Sequence, residues 1–215
     1  HPCVHLPTKP PALDAFCAFS GLKHFINKGE RPKEDHRDCE TVPLKQFFEN
    51  PQFVAGPAVT LVRRHMPSLS TDAEDFLRIC IAEVAQNVID HAESPIGGFL
   101  CARYFSGRHE VRVAIVDQGR TIPVVVNQQQ DANLSHRGAL EKALRGGWSS
   151  RSRSHNRGQG LRNLADIVRN FGGSLFLVSG EALAVSGETP GTAETRSIKA
   201  KFPGTGVFFT MNVED

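Results

Sequence analysis

Thr71-Asp-Ala-Glu-Asp-Phe-Leu-Arg-Ile-Cys-Ile-Ala-Glu-Val-Ala-Gln-Asn-Val-Ile-Asp-His-Ala-Glu93 is the stretch on which the reading of this chain turns. Thr71 and Glu74 have the spacing of a capping box, in which each side chain satisfies a free backbone N–H at a helix start. Leu77, Ile81, Val84, Val88 and Ala92 then recur at helical spacing and predict one face turned to a core. At 100° per residue Glu83, Asn87 and Asp90 fall within about 60° of one another, a polar stripe on an otherwise apolar helix. A solvated face is the ordinary reading of such a stripe. Half-buried, a carboxylate and an amide one turn apart are costly unless they have partners.

Outward from that helix, Gly98–Phe105 and Glu110–Val116 read as two strands joined by a turn at Ser106–Gly107. The second runs Val111-Arg-Val-Ala-Ile-Val116, alternating first and then continuously apolar, and ends in Asp117-Gln-Gly119-Arg-Thr121. Asn127–His136 reads as a polar, lid-like stretch, followed by a short helix over 137–145 that Gly146–Gly147 stops. An arginine-rich segment, Arg151 to Arg157, leads into Gly158-Gln-Gly160-Leu161 and a helix to Phe171. Leu161, Leu164, Ala165, Val168 and Phe171 mark its apolar face. Glycines at a helix start let backbone N–H groups point at an anion, which the helix dipole also favours. Taken singly, Asp-x-Gly is a common turn and Gly-x-Gly an ordinary helix start. Ser174–Ser179, Arg196–Phe202 and Val207–Val213 read as strands, with 180–194 as a hairpin region.

Composition narrows the classes. The 215 residues suffice for one sizeable core, and 40% hydrophobic with 22% charged residues is the balance of a globular protein. A net charge of +2 supplies no field to draw in nucleic acid. No apolar run approaches the roughly 20 residues that span a bilayer, and the proline-rich start, residues 1–11, reads as neither signal nor anchor. The five cysteines are scattered without a C-x-x-C pair, which disfavours a zinc ribbon or redox motif and favours a reducing cytoplasm. Cys80 and Cys101 read as small core hydrophobes. None of the nine histidines forms a metal-binding helix motif, and no Walker-type loop is present.

The order of these pieces carries more than any one of them. Glu83-x-x-x-Asn87-x-x-Asp90-His91 precedes a strand ending Asp117-x-Gly119; Arg157-Gly158-x-Gly160-Leu161 opens the second long helix, and Gly204-Thr205-Gly206 precedes the last strand. The chain resembles, over about residues 70–215, the GHKL superfamily of ATPases: gyrase, heat-shock chaperone, histidine kinase and mismatch-repair ATPase. Such a resemblance implies an α+β fold, a two-layer α/β sandwich with helices on one face of a mixed β-sheet. It implies ATP and Mg²⁺ as ligands, with Asn87 on the metal and Glu83 as general base. It also implies Asp117 on the adenine amine and Gly119 leaving space for the base. Arg157, Gly158, Gly160 and Leu161 would lie at the phosphates, Thr205 near the base, and Asp90 at the nucleotide site. Thr121 stands where the superfamily's first glycine box carries its second glycine.

No phosphoacceptor histidine helix precedes residue 70, so a self-contained sensor kinase is not expected. Residues 1–69 form an extension whose role is open between packing on the core, homodimerisation and binding a partner. Within it, Leu13–Ile26 carries Phe16, Phe19, Leu22 and Phe25 at near-helical spacing, open between helix and strand, and residues 28–40 form a charged loop. Leu44–Phe48 and Val59–His65 read as short helices. Three functions stay open: a slow Mg²⁺-dependent ATPase that controls an unidentified protein partner through its nucleotide state, a serine kinase of the anti-sigma-factor type, and a scaffold that has lost nucleotide.

Overall fold

A computed structural model describes residues 40–130, 132–145, 159–186, 189–190 and 192–213. They form a five-stranded open sheet with five α-helices, an α+β architecture of two layers. The strands are β1 (Thr41–Phe47), β2 (Gly98–Phe105), β3 (Glu110–Asp117), β4 (Leu175–Ser186) and β5 (Ala193–Asn212). The helices are α1 (Pro51–His65), α2 (Thr71–Asn87), α3 (Ile122–Gln130), α4 (His136–Arg145) and α5 (Gly160–Asn170). Strand order is β1-β2-β3-β5-β4, and all four ladders are antiparallel, so the sheet is not mixed as the resemblance implied. Antiparallel pairing follows from the short β2–β3 connection and from β5 returning directly beside β4.

The central ladders are long and regular. Gly98 pairs with Asp117 and Phe105 with Glu110, while Val116 pairs with Gly206 on β5. Leu100, Ala102, Val111, Val113, Ile115, Val207 and Phe209 thereby share one face and meet Leu77, Ile81, Leu140, Leu164 and Val168 from the helices in one core. Cys80 belongs to that core and Cys101 to the sheet's other face; both are buried free thiols. No helix among the described residues is long and apolar enough to cross a membrane.

Several expectations are corrected. Residues 41–47 are a strand, not a short helix: Val42 and Phe47 are buried, and the register shift between Val42 and Lys45 absorbs Pro43 on an edge strand, where a missing N–H is tolerated. Helix α1 begins at Pro51, eight residues before Val59, and runs through Pro57 because Val54, Ala55, Ala58, Val59, Leu61 and Val62 are all buried. The cap of α2 is Ser70, whose hydroxyl accepts from the N–H of Ala73 at 3.2 Å; Glu74 instead pairs with Arg78 at 2.8 Å. Residues Asn127–Gln130 complete α3, and the Asn127 side chain holds the following loop through the N–H and C=O of Leu134, both at 2.9 Å. The hairpin expected over 180–194 is present, with paired strand on both sides. β4 and β5 continue pairing to Ser186–Ala193, forming an arm on which α4 lies through Ala139, Leu140, Ala143 and Leu144.

Candidate functional site

Helix α2 ends in a wider π-type turn, Val88–Ala92, so Glu83 sits on regular helix while Asp90 and His91 sit on the widened turn. Glu83 and Asp90 are half-buried and Asn87, between them, is exposed. Asp90 accepts from the Gln86 side-chain amide at 2.9 Å, one turn back.

Glycines join this helix to the other motifs. A Cβ at Gly160 would come within 2.6 Å of Glu83 Oε2 and 2.8 Å of Glu83 Cβ, so the start of α5 is pressed directly onto Glu83. Burial there pushes the Glu83 carboxyl up from its ordinary value. Helix α5 begins with no side-chain cap at Gln159 and no acidic residue in its first turn. A Cβ at Gly119 would meet the Ala92 carbonyl oxygen at 2.0 Å, and the N–H of Arg120 donates to that same oxygen at 2.5 Å. The absent side chain of Gly119 thus faces the π-type turn. Arg120 reaches back to Glu93 at 2.7 Å and across to Gln128, tying the turn to α3.

Asp117 closes β3 and is buried, 6% exposed. Its Oδ1 accepts from the N–H of Gly119 at 2.8 Å. Burial pushes its carboxyl up to about 6, while the N–H groups of Gly119 and Thr205 pull the other way. Gly204, at φ 125°, lies against Asp117: a Cβ there would stand 2.3 Å from the Asp117 carbonyl oxygen and 2.9 Å from Oδ1. The positive φ and this contact together demand glycine.

Ser179, a residue the sequence did not flag, knits the site's far wall. Its hydroxyl donates to the Gly204 carbonyl at 2.7 Å, accepts from the N–H of Ile122 at 2.9 Å, and lies 3.0 Å from Thr205 Oγ1. Thr121 is buried beside it in sequence to Ile122, at the entry to α3. The pattern that would have revealed Ser179 is its place at the end of an apolar strand run, immediately before Gly180.

Glu83, Asp90, Asp117, Gly119, Gly160 and Thr205 therefore lie on elements that touch one another by these contacts. Leu161 packs partly buried against the helix-layer core. Arg157 and Gly158 lie outside the described residues, as does the arginine-rich segment before them. A cleft of about 330 Å³ lined by Glu40, Arg103 and residues 104–108 lies at the opposite end of β2 and shares none of these residues. Among the described residues no cluster of three or more His, Cys, Asp or Glu could hold a metal ion. The chain matches no protein-family model, and a search of curated proteins returned no significant match.

Proposed function

We propose that the chain is a Mg²⁺-dependent ATP-binding protein of the GHKL type, whose Glu83 activates a water or a hydroxyl against the γ-phosphate. The observation that carries this reading is the meeting of four separated segments: Glu83 against Gly160, Ala92 against Gly119, and Asp117 against Gly204 and Thr205. The donor set suits the ligand. Asp117 is a buried carboxylate whose described partners are backbone N–H donors. A carboxylate offers about four lone-pair sites, so capacity remains to accept an exocyclic amine. That group discriminates adenine from guanine, which presents a carbonyl at the same place.

The uncapped start of α5 offers N–H groups and the positive end of a helix dipole to phosphate oxygens. A Mg²⁺ ion, when bound, neutralises phosphate charge. The exposed Asn87 would hold it through its amide oxygen, a hard oxygen donor of the kind this ion takes. Glu83, half-buried and raised in pKa, has the character of a general base: reluctant to stay charged and able to take a proton.

Competition calorimetry with Mg²⁺ present tests the reading: ATP binds and GTP at equal concentration does not displace it. Equal affinities for the two nucleotides, or no binding of either, would overturn it. Labelled ATP offered with host lysate then separates the two outcomes at Glu83, free phosphate for hydrolysis and a labelled partner protein for phosphotransfer.

A further inference from the structure

The helices cover one face of the sheet, yet the opposite face is not polar. Phe99 and Val116 cluster there with Leu44, Ile96, Phe202 and Phe208, and Cys101 and Ala114 with Leu44, Phe105 and Phe208. Every residue in these clusters belongs to a strand or to the loop before β2, and none to a described helix. Phe99 is 4% exposed and Cys101 1%, whereas Phe176 at the far edge on β4 is 37% exposed. An antiparallel sheet with one wet face alternates apolar and polar residues; the unbroken run Val113–Val116 does not. The second face therefore has a cover over β2 and β3, where Phe99, Cys101, Ala114 and Val116 are buried, and it reaches Val178 on β4, 8% exposed.

The chain enters the sheet on the edge strand β1, which begins at Thr41 and pairs with β2 beside the covered residues. Before it, outside the described residues, lies the segment with Phe16, Phe19, Leu22 and Phe25 spaced three apart. Residues 27–40 separate the two and are mostly charged or polar. Fully extended, such a linker reaches about 45 Å. Three adjacent strands span only about 10 Å.

We propose that Leu13–Ile26 lays its Phe16, Phe19, Leu22 and Phe25 side chains on the outer face of the sheet over β1, β2 and β3. The occupant is this segment, not a second copy of the chain. Tethering holds it at high local concentration. The inference is independent of nucleotide binding.

Thiol labelling of the full-length chain tests it. With Cys3, Cys17 and Cys39 replaced by Ser, the remaining thiols are Cys101, which reports on the outer face, and Cys80, which reports on the helix-side core. Maleimide modification is followed at each by peptide mass spectrometry. In this parent both react slowly. Phe16→Glu with Phe19→Glu should speed Cys101 at least tenfold and leave Cys80 unchanged. Rapid labelling of Cys101 in the parent, or no acceleration in the double variant, would overturn the proposal. So would acceleration of Cys101 on dilution of the parent, which assigns the cover to a second copy. Should both thiols accelerate together in the double variant, the milder Phe16→Ser decides. It must speed Cys101 alone, and any other result overturns the assignment.

Discussion

Replacing Asp117 by Asn keeps the shape of a buried side chain and removes its titration. The Asp117 carboxyl sits at about 6 in the folded protein against an ordinary 3.8, because burial outweighs the N–H groups of Gly119 and Thr205. The folded state therefore holds a proton that the unfolded state releases in between. Stability from this group is fully present below about 3.8 and is lost as pH rises through about 6. That gap corresponds to about 3 kcal/mol, at about 1.4 kcal/mol for each tenfold change in proton affinity. Urea unfolding of wild type and Asp117→Asn between pH 4 and pH 7.5 gives the difference directly, since all other titrating groups are common to both. The Asn variant should gain on the wild type by up to about 3 kcal/mol across that interval, with little further change above pH 7. A difference that is flat with pH, or that favours wild type as pH rises, would refute the burial argument. On the proposed reading, in which Asp117 accepts from the adenine amine, calorimetry on the same variant should show weakened ATP binding, because an acceptor has become a potential donor.

Gly160→Ala forces its new methyl against Glu83 and should destabilise the protein by about 1–3 kcal/mol, read as a lower urea midpoint. Adding Glu83→Ala should recover only part of the loss, because the 2.8 Å contact to Glu83 Cβ persists; complete recovery would show that the carboxylate alone was in the way. Ser179→Ala leaves the Ile122 N–H and the Gly204 carbonyl without their hydroxyl partner, and should lower stability by about 1–3 kcal/mol. An unchanged midpoint would mean that neighbouring groups re-pair. Glu83→Ala should leave nucleotide affinity within a few fold and lower phosphate release or transfer by about 10² or more. Asn87→Ala should weaken binding and abolish its Mg²⁺ dependence, and wild-type turnover in the first variant or wild-type metal dependence in the second would count against those roles.

Helix α2 was legible from an uninterrupted period, Leu77, Ile81 and Val84 on one face, and strands β2 and β3 from short apolar runs flanking a Ser-Gly turn. Strand β1 was not, since Pro43 and the register shift beside it break the alternation within seven residues. Its partner β2, more than fifty residues later in the chain, makes it a strand. The extensions of β4 and β5 were hidden by their Gly, Thr and Glu content, which suits a turn locally; the arm is strand because α4 packs on Ala182 and Ala184. At the site, individual residues could be picked out, but the contact between Glu83 and Gly160 joins positions 77 apart and belongs to helix packing. Ser179 has only its place before Gly180 to mark it; the folded chain alone brings Ile122 and Gly204 to its hydroxyl.

Strand β5 is one continuous run of 20 residues, but it serves two structures. From Gly206 onward it lies between β3 and β4 in the sheet; before Phe202 it pairs with β4 alone. The register slips between Ser179 and Gly180 and again before Ala182, and Gly180 takes φ 61° at that level. Helix α4 rides on the outer part of this arm, and its His136 Nδ1 accepts from the N–H of Glu181 at 2.9 Å. One strand pair therefore carries both α4, on the arm beyond the slip, and the Ser179–Gly204 hydrogen bond beside Asp117, so helix and site share a single support.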